Sequence, residues 1–392
     1  MSDRNGLVVK NGKVLLPDGG ICHGDVQLQD GKIRQVGPNL QAELEINAAG
    51  GWILPGLIDL HTHGIHTTSA EGGSLIEFAN FQGSHGTTTF YPTLFCSPVE
   101  SARQMERHRR ETDELRLTPQ VGGFRLEGPY LAIASGGSAN ALAPITGVTT
   151  EMMLRAGGGL IKIWDVSPEL PDSPGLVRRL ADEGIICSIA HTKATIAQAR
   201  SVVAAGARLV THLFDVFFYM PEVNDPDPDM FGACMLDYLL VEDRVTCEII
   251  GDGLHVDPLN VEKTFRCKPP EKLVFVTDSN TGAGLPPGKY KLPGDWGNVQ
   301  IDGPNGGVRL LDREMILGGS ALTPMDGFRN VIRLFHKDIG TASHVWSRNP
   351  ARLMGLNKGE ILPGKDADLI VLDDDLNLMY TIVSGTVVYK GL

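Results

Sequence analysis

The sequence predicts an α/β protein, a (β/α)8 barrel with a small β-sandwich domain built from both termini. Three observations favour this fold. The middle of the chain alternates short apolar runs with helix-like stretches, and both ends consist of strand-like runs separated by glycine turns. The 392 residues suffice for a barrel of about 250 residues beside a smaller domain. We assign residues 1–52 and 345–392 to the small domain and residues 53–344 to the barrel.

The two ends of the chain share one pattern. The N-terminal stretch "LVVKNGKVLLPDGGICHGDVQLQDGKIRQVG" breaks its apolar runs with Asn-Gly, Asp-Gly and Gly-Gly. These dipeptides favour tight turns with positive φ between antiparallel strands. The C-terminal stretch "GEILPGKDADLIVLDDDLNLMYTIVSGTVVYKG" has the same pattern. Both ends are therefore predicted to join in one small β domain.

The middle of the chain alternates candidate strands with helix-like stretches such as "SPVESARQMERHRRETDEL" and "ATIAQARSVVAAG". This alternation predicts a parallel sheet with helical crossovers. The eight candidate strands, enough for a closed TIM-like barrel, are "WILPGLIDLH", "TTTFYPTL", "VGGFRLEG", "GLIKIWDV", "IICSIAH", "RLVTHLF", "TCEIIGDG" and "KLVFVTD". The alternative is an open doubly wound sheet, which normally carries a glycine-rich phosphate loop after its first strand. This chain has His-Thr-His at that position.

Two stretches between these elements are predicted to be irregular. The Pro/Asp-rich insertion "FYMPEVNDPDPDMFG" follows strand six and is expected on the barrel rim, near the site. The stretch "PPGKYKLPGDWGNVQIDGPNGG" follows strand eight.

Composition excludes several classes of protein. The net charge of -12, with no polybasic run, argues against a nucleic-acid partner. The stretch "MSDRNGLVVKNGKVLL" lacks the layout of a signal peptide, and no apolar run reaches the length of a membrane span. The six scattered cysteines include no Cys-x-x-Cys pair, which is typical of reduced core residues in a cytoplasmic protein.

Metal-ligating residue types stand at the ends of the predicted barrel strands. The first strand ends in "ILPGLIDLHTHG", where alternation places His61 and His63 on one face. Alone, such a pair is more often two hydrogen-bonded loop histidines. A parallel barrel, however, brings all strand ends to one face, and imidazoles mixed with carboxylates suit a divalent ion. The further strand-end residues are Glu127, His191, His212, His255 and Asp278.

The chain resembles the amidohydrolase superfamily and, within it, the N-acetylglucosamine-6-phosphate deacetylases. The stretches that carry the resemblance are "PGLIDLHTHG", "LEGPYL", "AHTKA", "THLF", "DGLHV", "VTDSN", "NPARLMGL" and "GEILPGKDADLIVLD". The resemblance implies that Glu127, His191 and His212 bind one divalent ion. It implies a second metal position at His61 and His63. Zinc is the expected metal, with iron, manganese or cobalt as alternatives, at one or two ions per chain.

The resemblance also implies roles in the reaction. Asp278 would act as general base and then as general acid, because one carboxylate can take a proton from water and deliver it to the departing amine. The expected substrate contacts are His255, Asp215, Ala139, Asn140 and Leu317. Lys162, in "LIKIWDV", is an alternative ligand if it is carboxylated, although Glu127 already offers a bridging carboxylate.

Three departures from the family pattern concern substrate recognition. Ala139 stands where the family has a substrate-contacting His, and Asp215 replaces an Asn. The stretch "PEVNDPDPDMFG" has no basic residue where the family has an Arg that holds the sugar phosphate. We therefore expect a small-molecule N-acyl substrate, such as an N-acetyl amino sugar, rather than a typical sugar 6-phosphate. The acidic run can equally be a solvated loop, and a partner subunit in a homodimer can supply an Arg.

Other activities remain open at this stage. The same machinery serves a D-aminoacylase, a dipeptidase or a cyclic-amide hydrolase, which differ in their pockets. A non-catalytic protein on the same fold is the alternative from another class. The presence of Asp278 argues against it, since loss of the general base would mark such a protein.

Overall fold

The computed structural model describes residues 6–114, 120–218, 232–291 and 297–391. Within them the strands, in chain order, are β1 Leu7–Leu15, β2 Ile21–Gln29, β3 Lys32–Gly37, β4 Leu44–Asn47, β5 Trp52–Pro55, β6 Leu57–Thr62, β7 Gly64–Ile65, β8 Thr68–Ser69, β9 Thr87–Leu94, β10 Phe124–Leu126, β11 Ile161–Val166, β12 Ile186–Ile189, β13 Leu209–Val210, β14 Thr246–Ile250, β15 Leu273–Val276, β16 Gly288–Lys291, β17 Asn298–Ile301, β18 Val308–Leu310, β19 Leu369–Leu372, β20 Leu378–Val383 and β21 Thr386–Lys390.

The α-helices of the same residues are α1 Leu75–Ser84, α2 Pro98–Glu114, α3 Gly147–Gly157, α4 Ser173–Asp182, α5 Ile196–Ala205, α6 Met235–Val241, α7 Pro258–Cys267, α8 Pro324–Arg333, α9 Ile339–Ser343 and α10 Asn349–Leu353. None of them is both long and apolar enough to cross a membrane.

Eight parallel strands form the barrel. Their order is β6, β9, β10, β11, β12, β13, β14 and β15, which is their order along the chain. An isolated parallel bridge between Thr62 and Ser279 joins the ends of the first and last strands, so the sheet closes there. One of the helices α1 to α7 lies between each pair of successive barrel strands along the chain. The predicted (β/α)8 barrel is confirmed, and each barrel strand lies within or overlaps one of the eight candidates.

One of the two helix-like stretches quoted above begins with a capping box. In α5, the Thr195 side chain accepts from the Gln198 backbone N–H, and the Gln198 side chain accepts from the Thr195 backbone N–H. This capping box satisfies two amide donors that the first helical turn otherwise leaves unpaired. It starts the helix close to the position that the stretch "ATIAQARSVVAAG" indicates.

Both ends of the chain contribute to a second sheet. Its strand order is β21, β20, β19, β5, β1, β2 and β3, and β4 pairs with β1. The hairpin between β2 and β3 turns at Asp30 and Gly31, whose φ angles of 52° and 74° are those that an Asp-Gly hairpin turn requires. Strand β5, in this sheet, is followed almost at once by barrel strand β6. The exact boundaries of the two domains stay a prediction.

The two stretches that were predicted to be irregular differ in outcome. The stretch after strand eight was mispredicted: β16, β17 and β18 form a three-stranded antiparallel sheet. Its apolar residues Val299, Ile301, Val308 and Leu310 pack together in a small core of their own, so short strands with few apolar residues are stabilised here by tertiary packing. The insertion after strand six lies almost entirely outside the described residues, at 219–231.

Candidate active site

Histidine and carboxylate side chains meet at the C-terminal end of the barrel. His61 lies in β6, and the other five residues follow their strands by one or two positions. All six side chains are buried. The structure thus brings together the predicted set of His61, His63, Glu127, His191, His212 and Asp278.

Glu127, His191 and His212 form one cluster around a single carboxylate oxygen. Oε1 of Glu127 lies 3.0 Å from Nε2 of His191 and 3.1 Å from Nε2 of His212. Nδ1 of His191 lies 2.8 Å from the Ile133 carbonyl oxygen, and Nδ1 of His212 lies 3.1 Å from that of Asp215. Because a carbonyl oxygen only accepts, each Nδ1 carries a proton and each Nε2 can offer its lone pair to an ion.

His61 and His63 form a second cluster with the other oxygen of Glu127. Oε2 of Glu127 lies 3.2 Å from Nε2 of His61 and 2.8 Å from Nε2 of His63. Oδ1 of Asp278 lies 3.3 Å and 3.4 Å from the same two nitrogens. Nδ1 of His61 and of His63 has no hydrogen-bond partner among the described residues. The rings of this cluster therefore lack the carbonyl contacts that orient His191 and His212.

The geometry of both clusters fits divalent metal ions. Within each cluster the potential ligand atoms lie within 4.8 Å of one another. Ligands about 2.0–2.2 Å from a tetrahedral zinc ion are about 3.3–3.6 Å apart, close to the separations found here. Imidazole nitrogens with carboxylate oxygens are also the donor set that zinc and similar ions accept. Glu127 belongs to both clusters, so one carboxylate connects the two positions.

The buried carboxylates of the site require a compensating positive charge. Burial alone would lower the pKa of His63 and His212, but their carboxylate neighbours raise it to about 10 in each case. Hydrogen bonds to Asp278 and Glu127 act on His63, and the hydrogen bond to Glu127 acts on His212. Burial would likewise raise the pKa of Glu127, but His61 and the hydrogen bonds from the other imidazoles hold it well below its usual range. Without a metal ion, protons on the imidazoles thus balance the buried carboxylates, and a bound ion would take over that role.

Three of these residues have a left-handed backbone. The φ angles are 46° at His191, 24° at His212 and 47° at Asp278. Residues other than glycine rarely adopt such angles, and they do so where surrounding contacts hold them. The Asp278 N–H donates to the His61 carbonyl at 2.9 Å, and the Asp278 carbonyl accepts from the Ser320 N–H at 2.8 Å. The carboxylate of Asp278 is therefore held beside the histidine pair by its own backbone.

The two side-chain clusters open into a cavity of about 480 Å³, a size that suits a small-molecule ligand. Three predicted substrate contacts, Asp215, His255 and Leu317, line it. Among the described residues that line it there is no Lys and no Arg. Apart from these three residues and the metal clusters, its described wall consists of Phe95, Ala134, Ser135, Gly136, Gly137, Val216, Asn280, Ile316, Gly318 and Gly319.

The remaining predicted site residues lie farther out. Ala139 and Asn140 are exposed in a short 3-10 turn. Asn140 and Arg313 line a smaller cavity of about 200 Å³, which shares Phe95, Gly136 and Gly137 with the main one. Neither Ala139 nor Asn140 lines the main cavity, and their contact with substrate stays a prediction. Lys162 donates to the Gly159 carbonyl at 2.9 Å and belongs to neither cluster, so the structure offers no support for a carboxylated lysine ligand.

Asp252 is a functional candidate that the sequence reasoning missed. Its carboxylate lies 2.6 Å from Nδ1 of His255 and also accepts from the backbone N–H groups of Leu254 and His255. Burial alone would lower the pKa of His255, but the hydrogen bond to Asp252 and nearby carboxylates raise it. The only signal in the sequence was the position of Asp252 in the same "DGLH" stretch as His255. The aspartate fixes the ring so that Nε2 is left for the cavity.

We expect Asp252→Asn to lower kcat/KM by about 10- to 100-fold, the equivalent of one hydrogen bond to a charged group at about 1.5–3 kcal/mol. Metal content should stay unchanged. Steady-state kinetics and metal analysis check this. Asp257→Asn is the matched control, because Asp257 only caps helix α7. Equal losses in both variants would mean that Asp252 has no specific role at the site.

Comparisons with known proteins agree with this geometry. A model of the amidohydrolase family matches residues 330–388. The N-acetylglucosamine-6-phosphate deacetylase of Bacillus subtilis (strain 168) is 30% identical over 398 residues, which cover 98% of this chain and 97% of that protein. The human N-acetylglucosamine-6-phosphate deacetylase is 31% identical over 356 residues, with 87% and 85% covered. The N-acetylgalactosamine-6-phosphate deacetylase of Escherichia coli O157:H7 is 26% identical, with 96% and 98% covered.

Solved structures show the same likeness. The N-acetylglucosamine-6-phosphate deacetylase of Thermotoga maritima superimposes with a TM-score of 0.83 at 28% identity, covering 98% of this chain and all of that one. The N-acetyl-D-glucosamine-6-phosphate deacetylase of Mycobacterium smegmatis gives a TM-score of 0.83 at 25% identity with the same coverage. The likeness therefore extends over both the barrel and the second sheet.

Proposed function

Because this chain belongs to the N-acetylglucosamine-6-phosphate deacetylase family of amidohydrolases, we propose that it deacetylates an N-acetyl amino sugar or a related N-acyl compound that lacks a 6-phosphate. It is a hydrolase of the amidohydrolase type that depends on a divalent metal. The observation that carries the proposal is the position of Asp278, whose carboxylate lies beside the clustered metal ligands and faces a cavity of small-molecule size.

The side chains of the site suit amide hydrolysis. A divalent ion bound by Glu127, His191 and His212 would supply Lewis-acid activation of water and of the amide carbonyl. Asp278 takes a proton from the attacking water as the carbon–oxygen bond forms. It then delivers that proton to the nitrogen as the carbon–nitrogen bond breaks, because the free amine is too basic to leave unprotonated. The products are a carboxylic acid and an amine, and no further reactant is needed.

The charge of Asp278 supports this role as a base. Burial alone would raise its pKa, but His61 and the hydrogen bond from His63 lower the pKa below its ordinary value. The carboxylate is therefore ionised at neutral pH, which is the protonation state that a general base requires. On the other side of the cavity, His255 is held by Asp252 and is placed to bind a polar group of the substrate.

Substrate recognition departs from the curated relatives named for sugar 6-phosphates. The main cavity has no Lys or Arg among its described lining residues, and the sequence has no Lys, Arg or His from Leu213 to Asp243. Apart from the histidines of the two clusters, His255 is the one side chain among the described lining residues that can carry positive charge, and its Nδ1 lies 2.6 Å from Asp252 Oδ2. Asp215 adds a carboxylate within 4.0 Å of His212. Arg313 lines only the adjoining smaller cavity, where it donates to the Gly136 carbonyl at 3.1 Å. Within the main cavity, a phosphate dianion would therefore find no Lys or Arg among the described lining residues.

We expect N-acetylglucosamine 6-phosphate to be a poor substrate. Two missing charge-assisted hydrogen bonds, at about 1.5–3 kcal/mol each, correspond to a loss of about 10²- to 10⁴-fold in kcat/KM relative to an unphosphorylated or differently substituted N-acyl compound. The test compares kcat/KM for the two kinds of compound with metal-loaded enzyme at one moderate salt concentration.

Asp215→Asn is the informative variant for this comparison, because it removes one negative charge and keeps the shape of the side chain. It should improve the rate with the 6-phosphate more than the rate with the unphosphorylated compound. A kcat/KM of about 10⁵ M⁻¹s⁻¹ or more for the 6-phosphate, normal for a native substrate, would contradict the proposed specificity.

Three further properties belong to the same proposal. Zinc is the favoured ion, because a buried set of imidazoles and carboxylates is a usual zinc environment. A cytoplasmic location is supported by the six cysteines, all of which are free. A homodimer is proposed from the resemblance alone.

A further inference from the structure

A buried ionic cluster lies inside the barrel next to the metal ligands. Arg125 precedes Glu127 by two residues and therefore points to the same face of the chain. Its fully buried guanidinium donates to Asp165 Oδ2 at 3.2 Å and to Glu248 Oε1 at 2.6 Å. It also donates to Thr211 Oγ1 at 2.9 Å. One cation and two carboxylates thus occupy a layer of the barrel interior.

Stability alone does not account for this cluster. Barrel interiors are ordinarily filled with branched apolar side chains. Removing charged groups from water costs several kcal/mol per ion, and replacing a buried ion cluster by apolar residues is often neutral or stabilising. The contacts of Arg125 and Glu248 with the neighbouring layer point to a different role.

Both groups lie next to the candidate metal ligand His61. Oε2 of Glu248 lies 3.7 Å from Nδ1 of His61, which has no hydrogen-bond partner among the described residues. On the other side, Nη1 of Arg125 donates to the carbonyl of Leu60 at 3.1 Å, which fixes the backbone just before His61. At this distance the carboxylate acts on Nδ1 through its charge, which favours a proton on that nitrogen and leaves Nε2 for an ion.

The other cluster depends less on this pair. Glu248 also accepts from the backbone N–H of His212 at 3.4 Å, but the ring of His212 is held by the Asp215 carbonyl. The ring of His191 is held by the Ile133 carbonyl. Side-chain charge therefore orients a ligand at the His61/His63 position, whereas backbone carbonyls orient the ligands at the Glu127/His191/His212 position.

We propose that Arg125 and Glu248 are positioning residues for His61 and thereby set the affinity of the metal position formed by His61 and His63. This inference rests on the proposed function, in that it takes the two clusters to be metal sites. Occupancy of the second position, and so the number of ions per chain, would then depend on a buried ion pair whose members are not themselves metal ligands.

The test begins with purified enzyme from which the metal has been removed. Zinc is titrated into it in competition with a chelator of known affinity. We expect wild type to bind two ions and His61→Ala to bind one. Glu248→Gln should bind the weaker ion about 10- to 100-fold less tightly, as is typical when a partner of a ligating histidine is lost. The tighter ion should be unaffected. Arg125→Lys keeps the charge but cannot donate to Asp165 and Glu248 at the same time, so it should show the same selective loss. It replaces Glu248→Gln as the test variant if Glu248→Gln does not fold.

Asp165→Asn is the matched control, because Asp165 contacts Arg125 but not His61. It should destabilise the fold in thermal unfolding and keep both ions. The proposal is wrong if Glu248→Gln and Arg125→Lys bind both ions as wild type does, or if Asp165→Asn loses the weaker ion equally. A wild type with one ion, held at Glu127, would overturn the positioning role and leave the proposed hydrolase intact. A wild type that binds no ion would overturn the proposed function itself.

Discussion

Replacing Asp278 by Asn should lower kcat by about 10²- to 10⁴-fold, the usual contribution of general acid–base catalysis. The amide keeps the shape of the side chain but can neither take the proton from water nor deliver it to the amine. The backbone contacts of Asp278 with His61 and Ser320 do not involve the side chain, so the fold should persist. Steady-state kinetics, thermal unfolding and metal analysis together check this expectation.

The control for this variant is Asp215→Asn, which alters another carboxylate of the same cavity. Asp215 has no proposed part in proton transfer, so this variant should change substrate preference and keep turnover within about tenfold, the effect of about 1.4 kcal/mol. If Asp278→Asn keeps near-native turnover while the ion at Glu127, His191 and His212 is still bound, a group other than Asp278 transfers the proton from water to the amine.

Replacing Glu127 by Gln should remove the ion bound with His191 and His212, and the activity should be lost with it. Glu127 is the one carboxylate shared by both metal clusters, and an amide is a much weaker ligand than a carboxylate. An ion that stabilises the transition state by several kcal/mol accounts for about 10³-fold in rate or more. Metal content and kcat/KM, measured on the same preparation, check the result. His191→Ala and His212→Ala should behave alike.

The control is Glu169→Gln, because Glu169 accepts from the Lys193 backbone N–H and belongs to neither cluster. It should keep both metal and activity. Changes at His61 and His63 should lower the occupancy of the second position only. If the protein instead held a single ion through His61 and His63 alone, and Glu127→Gln kept it, the ranking of the two positions would be reversed.

The sequence predicted that the side chains of the site lie close together, because strand order converts linear spacing into spatial proximity. His191, His212 and Asp278 each follow a short apolar run by one or two residues, and a parallel barrel places such residues on one face. The Asp-Gly hairpin at Asp30 was equally visible, because its turn chemistry is local.

Features that depend on contacts between distant strands were not visible. Arg125, Asp165 and Glu248 lie on three different strands, and each alone reads as an ordinary charged residue in an apolar run. Asp252 was passed over because its role depends on the ring of His255 turning back toward it. The proton positions of His191 and His212 follow from the carbonyls of Ile133 and Asp215, which no spacing rule indicates. Strands β16 to β18 form through packing on one another and were missed for the same reason.

The most direct test of the proposed function is acetate release from a panel of N-acetyl amino sugars, with and without a 6-phosphate, before and after metal removal. We expect the metal-loaded enzyme to release acetate and the free amine in equal amounts from at least one unphosphorylated N-acetyl compound. We also expect chelation to abolish that release and zinc to restore it. Undiminished acetate release from enzyme shown to be free of metal, or no release from any member of the panel by the loaded enzyme, would contradict it.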